Sequence, residues 1–219
     1  MLKKHLASYN ILTEEEIDNF INLVNYKKLN KGDFFIQEGN TCKEVAFIAS
    51  GIFRSFYHSS DEKEATYCLL SENSFVTAYS SFISQTKTNE NIQALTDAEL
   101  YSISKEQFAA LENSSTNWLR LFKIFAEQEY INLENRIFVL QNESAENRYS
   151  VFATNVRNVS GYIAKFFTFD LRNDVKKGTL FIIDQSQRHH GPAAGASLVP
   201  PLLPLAGAQR HSYAVVRRA

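Results

Sequence analysis

The sequence predicts an α+β fold in which an antiparallel β-sandwich or jelly-roll lies between helical segments, and three observations predict it. Between Tyr26 and Ile103, short β-branched and aromatic runs recur at roughly ten-residue spacing, each bounded by a turn signal. Ahead of them stands a helix-start signature. Behind them lies a long stretch without Gly or Pro in which apolar residues step by three or four, the period of one helix face.

Thr13-Glu14-Glu15-Glu16 reads as a capping box, in which the Thr13 hydroxyl and the Glu16 carboxylate satisfy the first free backbone donors of a helix. Ile17, Phe20, Ile21 and Val24 follow at helical spacing. The strand-like runs come next: Phe34-Phe35-Ile36, Val45 to Ile48, Ile52 to Tyr57 and Ala65 to Leu70. Lys31-Gly32-Asp33, Glu38-Gly39-Asn40, Ser50-Gly51 and Ser60 to Lys63 separate them as turns. After Ser104 the period turns helical, first in a short segment around Lys105 to Leu111 and then from about Ser115 to Arg148. In the long segment Trp118, Phe122, Ala126, Tyr130, Leu133, Ile137 and Leu140 form one stripe, while Glu127, Glu129, Glu134 and Arg136 occupy the other face. Thirty residues of helix extend ~45 Å, more than one β-domain needs for cover. The surplus stripe predicts a partner helix, a homodimer with Leu133, Ile137 and Leu140 at its seam.

The 219 residues suffice for one good core and a second small part. Their net charge of −1 conceals an asymmetry: residues 1–147 carry 13 Lys and Arg against 21 Asp and Glu (−8), and residues 148–219 carry 10 against 3 (+7). A basic part joined to an acidic one suits nucleic acid, and a basic end without function is equally consistent. The first residues lack an apolar leader core, and no apolar run reaches the length of a membrane span; a cytoplasmic, membrane-free protein is expected. Cys42 and Cys68 are too few for a disulfide framework and too far apart for a CxxC motif, so they read as buried or edge thiols. Phe166 to Leu171 and Thr179 to Ile183 look like strands of a hairpin around Gly178. From Arg188 onward all four prolines and seven alanines occur without an acidic residue, which predicts an extended or disordered tail.

The order of helix, Gly-punctuated strands and long helix resembles the effector half of a Crp/Fnr-family transcription regulator, whose domain is a cyclic-nucleotide-binding β-roll (a jelly-roll, or double-stranded β-helix). Lys31 to Gly39 resembles the family's first hairpin, Val45 to Arg54 its continuation through Ser50-Gly51, and Asn91 to Leu100 its closing strand pair, with Ser104 to Phe108 opening the short helix. The likeness covers about residues 10–148. In family members that bind cyclic nucleotides, a Phe-x-Gly-Glu segment holds the ribose and an Arg-Ser pair holds the cyclic phosphate. Here that segment reads Phe75-Val76-Thr77-Ala78-Tyr79, and Thr88-Asn89 stands at the Arg-Ser position. Both charged contacts are gone. Two readings remain: Thr77, Ala78, Tyr79, Ser80, Ser81, Thr88 and Asn89 line a polar pocket for a small effector other than cyclic AMP, or the pocket is vestigial and filled by side chains.

The family's winged helix-turn-helix is not recognisable after Arg148. The shift from a Lys/Asn/Ile/Phe-rich body to an Ala/Pro/Arg/Gly-rich tail predicts that residues after about Tyr149 derive from another reading frame or from a fusion. The expected layout is a sensor domain over 1–114, a dimerisation helix over 115–148, a hairpin in place of the DNA-binding domain over 149–187, and the tail over 188–219. No GxSxG, P-loop, HExxH or dinucleotide fingerprint occurs. His58 reads as a turn residue, and His189, His190 and His211 lie in the tail without a ligand partner, so no enzyme, metal or cofactor is expected. Two functions fit: a DNA-binding regulator, which is the family's role, or a stand-alone sensing and dimerisation module without specific DNA readout.

Overall fold

The computed structural model describes residues 1–58, 64–142 and 144; the expected hairpin over 166–183 and the tail from 188 lie outside them. Two helices open the fold, α1 (Leu2–Ala7) and α2 (Glu14–Leu23). The expected capping box is present at α2, with the Glu16 amide donating to Thr13 Oγ1 and the Thr13 amide donating to the Glu16 carboxylate. Eight strands follow: β1 (Asn25–Leu29), β2 (Phe34–Ile36), β3 (Glu44–Ser50), β4 (Ile52–His58), β5 (Glu64–Ser71), β6 (Phe75–Val76), β7 (Asn91–Ala94) and β8 (Ala98–Ser104). Between β6 and β7 lies the short helix α3 (Tyr79–Ser84). After β8 come α4 (Lys105–Ser114) and α5 (Thr116–Asn142).

The strands form two antiparallel four-stranded sheets, ordered β1-β8-β3-β6 and β2-β7-β4-β5. This is the antiparallel β-roll with flanking helices that the sequence predicts. Phe53, Ile48, Leu100, Ile92 and Ala94 fill the space between the sheets. Full burial of one such large apolar side chain contributes ~1.5–3 kcal/mol. A second core lies where the outer side of the first sheet meets the helices, with Leu2, Leu6, Ile17, Phe20, Phe47, Ile103, Trp118 and Leu121 buried together. Here an aromatic series runs from helix to helix: Phe82 of α3 stands edge-on to Phe108 of α4 at 5.3 Å, and Phe108 stacks on Phe122 of α5 at 4.0 Å.

A second capping box starts α4, Ser104 with Gln107, and Ser-x-x-Gln is legible in the sequence. The long helix is observed over 116–142, inside the expected 115–148. Its apolar stripe does not stay on one partner. Trp118 is buried and Phe122 packs in the helical core, whereas Tyr130, Leu133 and Ile137 are 66%, 55% and 47% exposed. At about 100° per residue, Trp118, Phe125, Glu129, Asn132 and Arg136 share the side toward the domain, and Tyr130, Leu133 and Ile137 lie about a quarter-turn away. Cys42 and Cys68 are free and buried, as expected.

Candidate functional site

The segment from β6 through α3 to β7 is fixed to its neighbours almost entirely by short polar side chains. Thr77 Oγ1 donates to the Glu44 carbonyl at 3.0 Å. Ser81 Oγ accepts from the Cys42 amide at 2.9 Å, and Gln85, in the left-handed conformation that ends α3, returns an amide hydrogen bond to the Cys42 carbonyl at 3.1 Å. Both backbone groups of Cys42 are thereby tied to α3. Beyond the helix, Thr88 bonds through its own backbone to the Glu38–Asn40 turn: its amide donates to the Asn40 carbonyl and its carbonyl accepts from the Gly39 amide, both at 2.8 Å. The Thr88 hydroxyl accepts from the Glu90 amide at 3.1 Å.

Strand alternation decides which side chains face the roll's interior. On β7, Ile92 and Ala94 pair with Ser55 and Phe53 of β4, and these four are buried on the inner side. Gln93 pairs with Arg54 on the opposite side. There the Arg54 guanidinium donates to Gln93 Oε1 at 2.8 Å and meets the Glu64 carboxylate at 2.7 Å, so this cation is committed away from the interior. His58 ends β4 and meets Glu38 at 3.0 Å. Glu90 stands one residue before β7. Its carboxyl is half-buried, and burial lifts its pKa to about 7.

Helix α5 packs against the roll through Trp118 and Leu121. Burial, with the carboxylates of Glu129 on α5 and Glu112 on α4, raises the Tyr79 hydroxyl pKa. One turn further, the Asn132 amide nitrogen is sealed from solvent without an acceptor among the described residues, while its oxygen accepts from Gln128. One turn further again, the Arg136 guanidinium lies 4.8 Å from the centre of the Tyr67 ring, and Tyr67 is the extra residue at a bulge between β4 and β5. Burial lowers the Arg136 pKa, opposed by Cys68 and Tyr57. A single helix thus stacks on α4 through Phe122 and reaches β5 through Arg136.

This arrangement, a helix-bearing segment inserted between two strands of a β-roll, coincides with a sequence family. Residues 26–115 match the model of the cyclic nucleotide-binding domain. This segment is a domain of that family. No curated protein matches the chain in sequence. Among solved structures, a transcriptional regulator of the Crp/Fnr family from Eubacterium rectale superposes with a TM-score of 0.59 at 16% identity, over 72% of this chain and 74% of that one. The catabolite activator protein of Thermus thermophilus gives 0.54 at 18% identity over 78% and 84%. The c-di-GMP-responsive global regulator CLP of Xanthomonas campestris gives 0.52 at 16% over 67% and 70%. At these identities the likeness is one of fold, and it reaches beyond the cyclic nucleotide-binding domain into the long helix.

Of the seven pocket residues predicted from sequence, Thr77 and Ser81 both meet Cys42, and Thr88 is held against the Glu38–Asn40 turn. Ala78 is fully buried, and the three hydroxyls are engaged by the protein itself. Tyr79, Ser80 and Asn89 are exposed. Sequence reasoning missed Glu90, which stands in a polar run from Thr86 to Asn91 that reads as surface, and the inward row of Glu129, Asn132 and Arg136. A helical wheel anchored on Trp118 would have placed that row. Among the described residues no three His, Cys, Asp or Glu side chains converge on a metal-binding geometry, and no helix is long and apolar enough to cross a membrane.

Proposed function

We propose that this chain is a cytoplasmic, Crp/Fnr-like regulator whose roll senses a small effector other than cyclic AMP and signals through α5 to a second copy of the chain. The contact of α5 with β5 through Arg136 and Tyr67, and its link to α3 through Phe122, Phe108 and Phe82, support this reading, because one helix joins the roll to an exposed apolar row. Where the family's ribose-binding carboxylate and phosphate-binding guanidinium are expected, this chain has Ala78 and Thr88. Charge-assisted hydrogen bonds contribute roughly 1.5–3 kcal/mol each, so the loss of two weakens cyclic AMP and cyclic GMP by about 10² to 10⁴. Titration calorimetry is expected to show no micromolar binding of either nucleotide. Micromolar affinity for cyclic AMP would overturn the assignment of the effector class.

The alternative, a sensing and dimerisation module without specific DNA readout, draws on the lack of a recognisable helix-turn-helix sequence after Arg148. Lys165, Arg172, Lys176, Lys177, Arg188, Arg210, Arg217 and Arg218 are spread through residues outside the described part of the structure. Basic residues without a rigid reading element neutralise phosphates but do not discriminate bases. The full chain is expected to bind duplex DNA only in the non-specific range of ~10⁻⁴ to 10⁻⁶ M at physiological salt. A preference of about a hundredfold for a palindromic site over a scrambled duplex, some 2.7 kcal/mol, would instead establish the regulator with a working DNA-binding domain.

A further inference from the structure

One carboxylate serves the start of two helices. Glu16 completes the capping box of α2, its Oε2 accepting from the Thr13 amide at 2.8 Å. The same oxygen accepts from the Asn117 side-chain amide, in the first turn of α5, at 3.1 Å, and Oε1 accepts from the Ser115 hydroxyl. Ser115 is the one residue between α4 and α5, and its backbone is extended (φ −158°, ψ 158°). Its hydroxyl also accepts from the Trp118 amide at 3.4 Å, which makes it the N-cap of α5. A hydroxyl that donates to a carboxylate is polarised into a better acceptor, so the charge on α2 strengthens the cap of α5. Beside this group Phe20 of α2 packs on Trp118 with ring centres 5.2 Å apart, and both rings are buried.

The two kinds of contact constrain different motions. Packed rings resist separation and compression, whereas hydrogen bonds weaken steeply once they are misaligned and therefore fix direction. A helix of this length bends only gently, so the exposed half of α5, with Leu133 and Ile137, inherits its direction from the first turn. We propose that Glu16 is a positioning residue for α5: its carboxylate clasps the first turn of the long helix onto α2 and so sets the direction in which the exposed apolar row leaves the domain. In sequence the capping box accounts for Glu16 fully, and its second set of partners lies 99 and 101 residues away. The consequence for self-association rests on the reading of α5 as a dimer helix, whereas the clasp itself does not.

Trp118 is the only tryptophan of the chain, so fluorescence of the full chain reports the joint directly, and its emission is expected to be that of a buried indole. Asn117→Asp sets a second carboxylate against Glu16 while keeping a residue type that favours the first turn of a helix. Its emission should move to the red, and its self-association should weaken about tenfold. Adding Glu16→Gln restores a donor–acceptor pair and should return both to wild-type values. Glu16→Gln alone keeps an acceptor for the Thr13 amide and should match the wild type. Thr13→Ala removes the acceptor for the Glu16 amide but neither bond to α5, and should lower the melting temperature without moving the emission.

Wild-type emission from Asn117→Asp overturns the clasp. So does a red shift that Glu16→Gln fails to reverse, or one that Thr13→Ala reproduces, since either assigns the effect to helix stability instead. A red shift with undiminished self-association overturns the directing role of Glu16. A wild-type chain that is monomeric at high concentration removes the dimer reading alone, and the emission of the variants still decides the clasp.

Discussion

Ile137→Glu is expected to convert a dimer into a monomer at micromolar concentration, weakening self-association by at least about a hundredfold, which is some 2.7 kcal/mol. Ile137, Leu133 and Tyr130 lie exposed on one side of α5, a quarter-turn from the row that packs on the domain. Leu133 and Ile137 belong to the proposed seam of a helix pair, and a carboxylate placed in such a seam loses hydration without gaining a partner. Leu133→Glu should act alike. Phe138, also exposed, lies on a different side of the helix and serves as the control, so Phe138→Ser should leave the mass unchanged. Sedimentation equilibrium reads all three. A wild-type chain that sediments as a monomer at high concentration, or an Ile137→Glu variant of unaltered dimer mass, removes the proposed seam.

The second large effect concerns Gly51, at the tight connection between β3 and β4. Its φ of +104° is a conformation that L side chains rarely adopt, and a Cβ there would stand 2.6 Å from Ala98 Cβ, 2.8 Å from Ala98 Cα and 2.9 Å from the Asp97 carbonyl oxygen. Two of these three atoms are backbone and cannot turn aside. Gly51→Ala is expected to cost about 2–5 kcal/mol from the dihedral and the overlap together, lowering the melting temperature by roughly 5–15 °C. Gly39 separates the two causes: its φ is +84°, but a Cβ would meet nothing within 4 Å. Gly39→Ala should show the dihedral cost alone, about 1–2 kcal/mol. Equal melting temperatures for the two variants would mean that the approach of Ala98 is not a constraint.

What the sequence made legible follows from where the determinants of each element reside. The capping box at Thr13 and the glycines at 32, 39 and 51 act over a few residues, and the elements they bound are where the pattern puts them. α1 and α3 escape such reading because neither is stabilised by its own sequence. Leu2 and Leu6 form a single i,i+4 pair, and Tyr79–Ser84 is half serine; α3 holds because Ser81 and Gln85 grip the two backbone groups of Cys42. Site residues divide in the same way. The missing charged contacts at Ala78 and Thr88 are visible against the family pattern, whereas the engagement of Ser81 and Thr88 depends on the Cys42 and Asn40 backbone, far away in sequence. Trp118 and Tyr130 look like members of one stripe in sequence, but the domain covers only the first, because Tyr130, Leu133 and Ile137 lie to one side of the row that meets it.

The aromatic series Phe82, Phe108 and Phe122 makes the helix beside the binding segment, the short helix after the roll and the long helix into consecutive links of one linkage. Packed interiors are nearly incompressible, and a ring stacked at 4.0 Å has no slack to absorb a displacement of its neighbour. A shift of α3 by a fraction of a ring's thickness would press, through Phe108, on the first turns of α5. From that fulcrum α5 extends to Asn142, some 30 Å at 1.5 Å per residue, and a lever of that length turns a small angular error near Phe122 into a displacement of several ångströms at its far end.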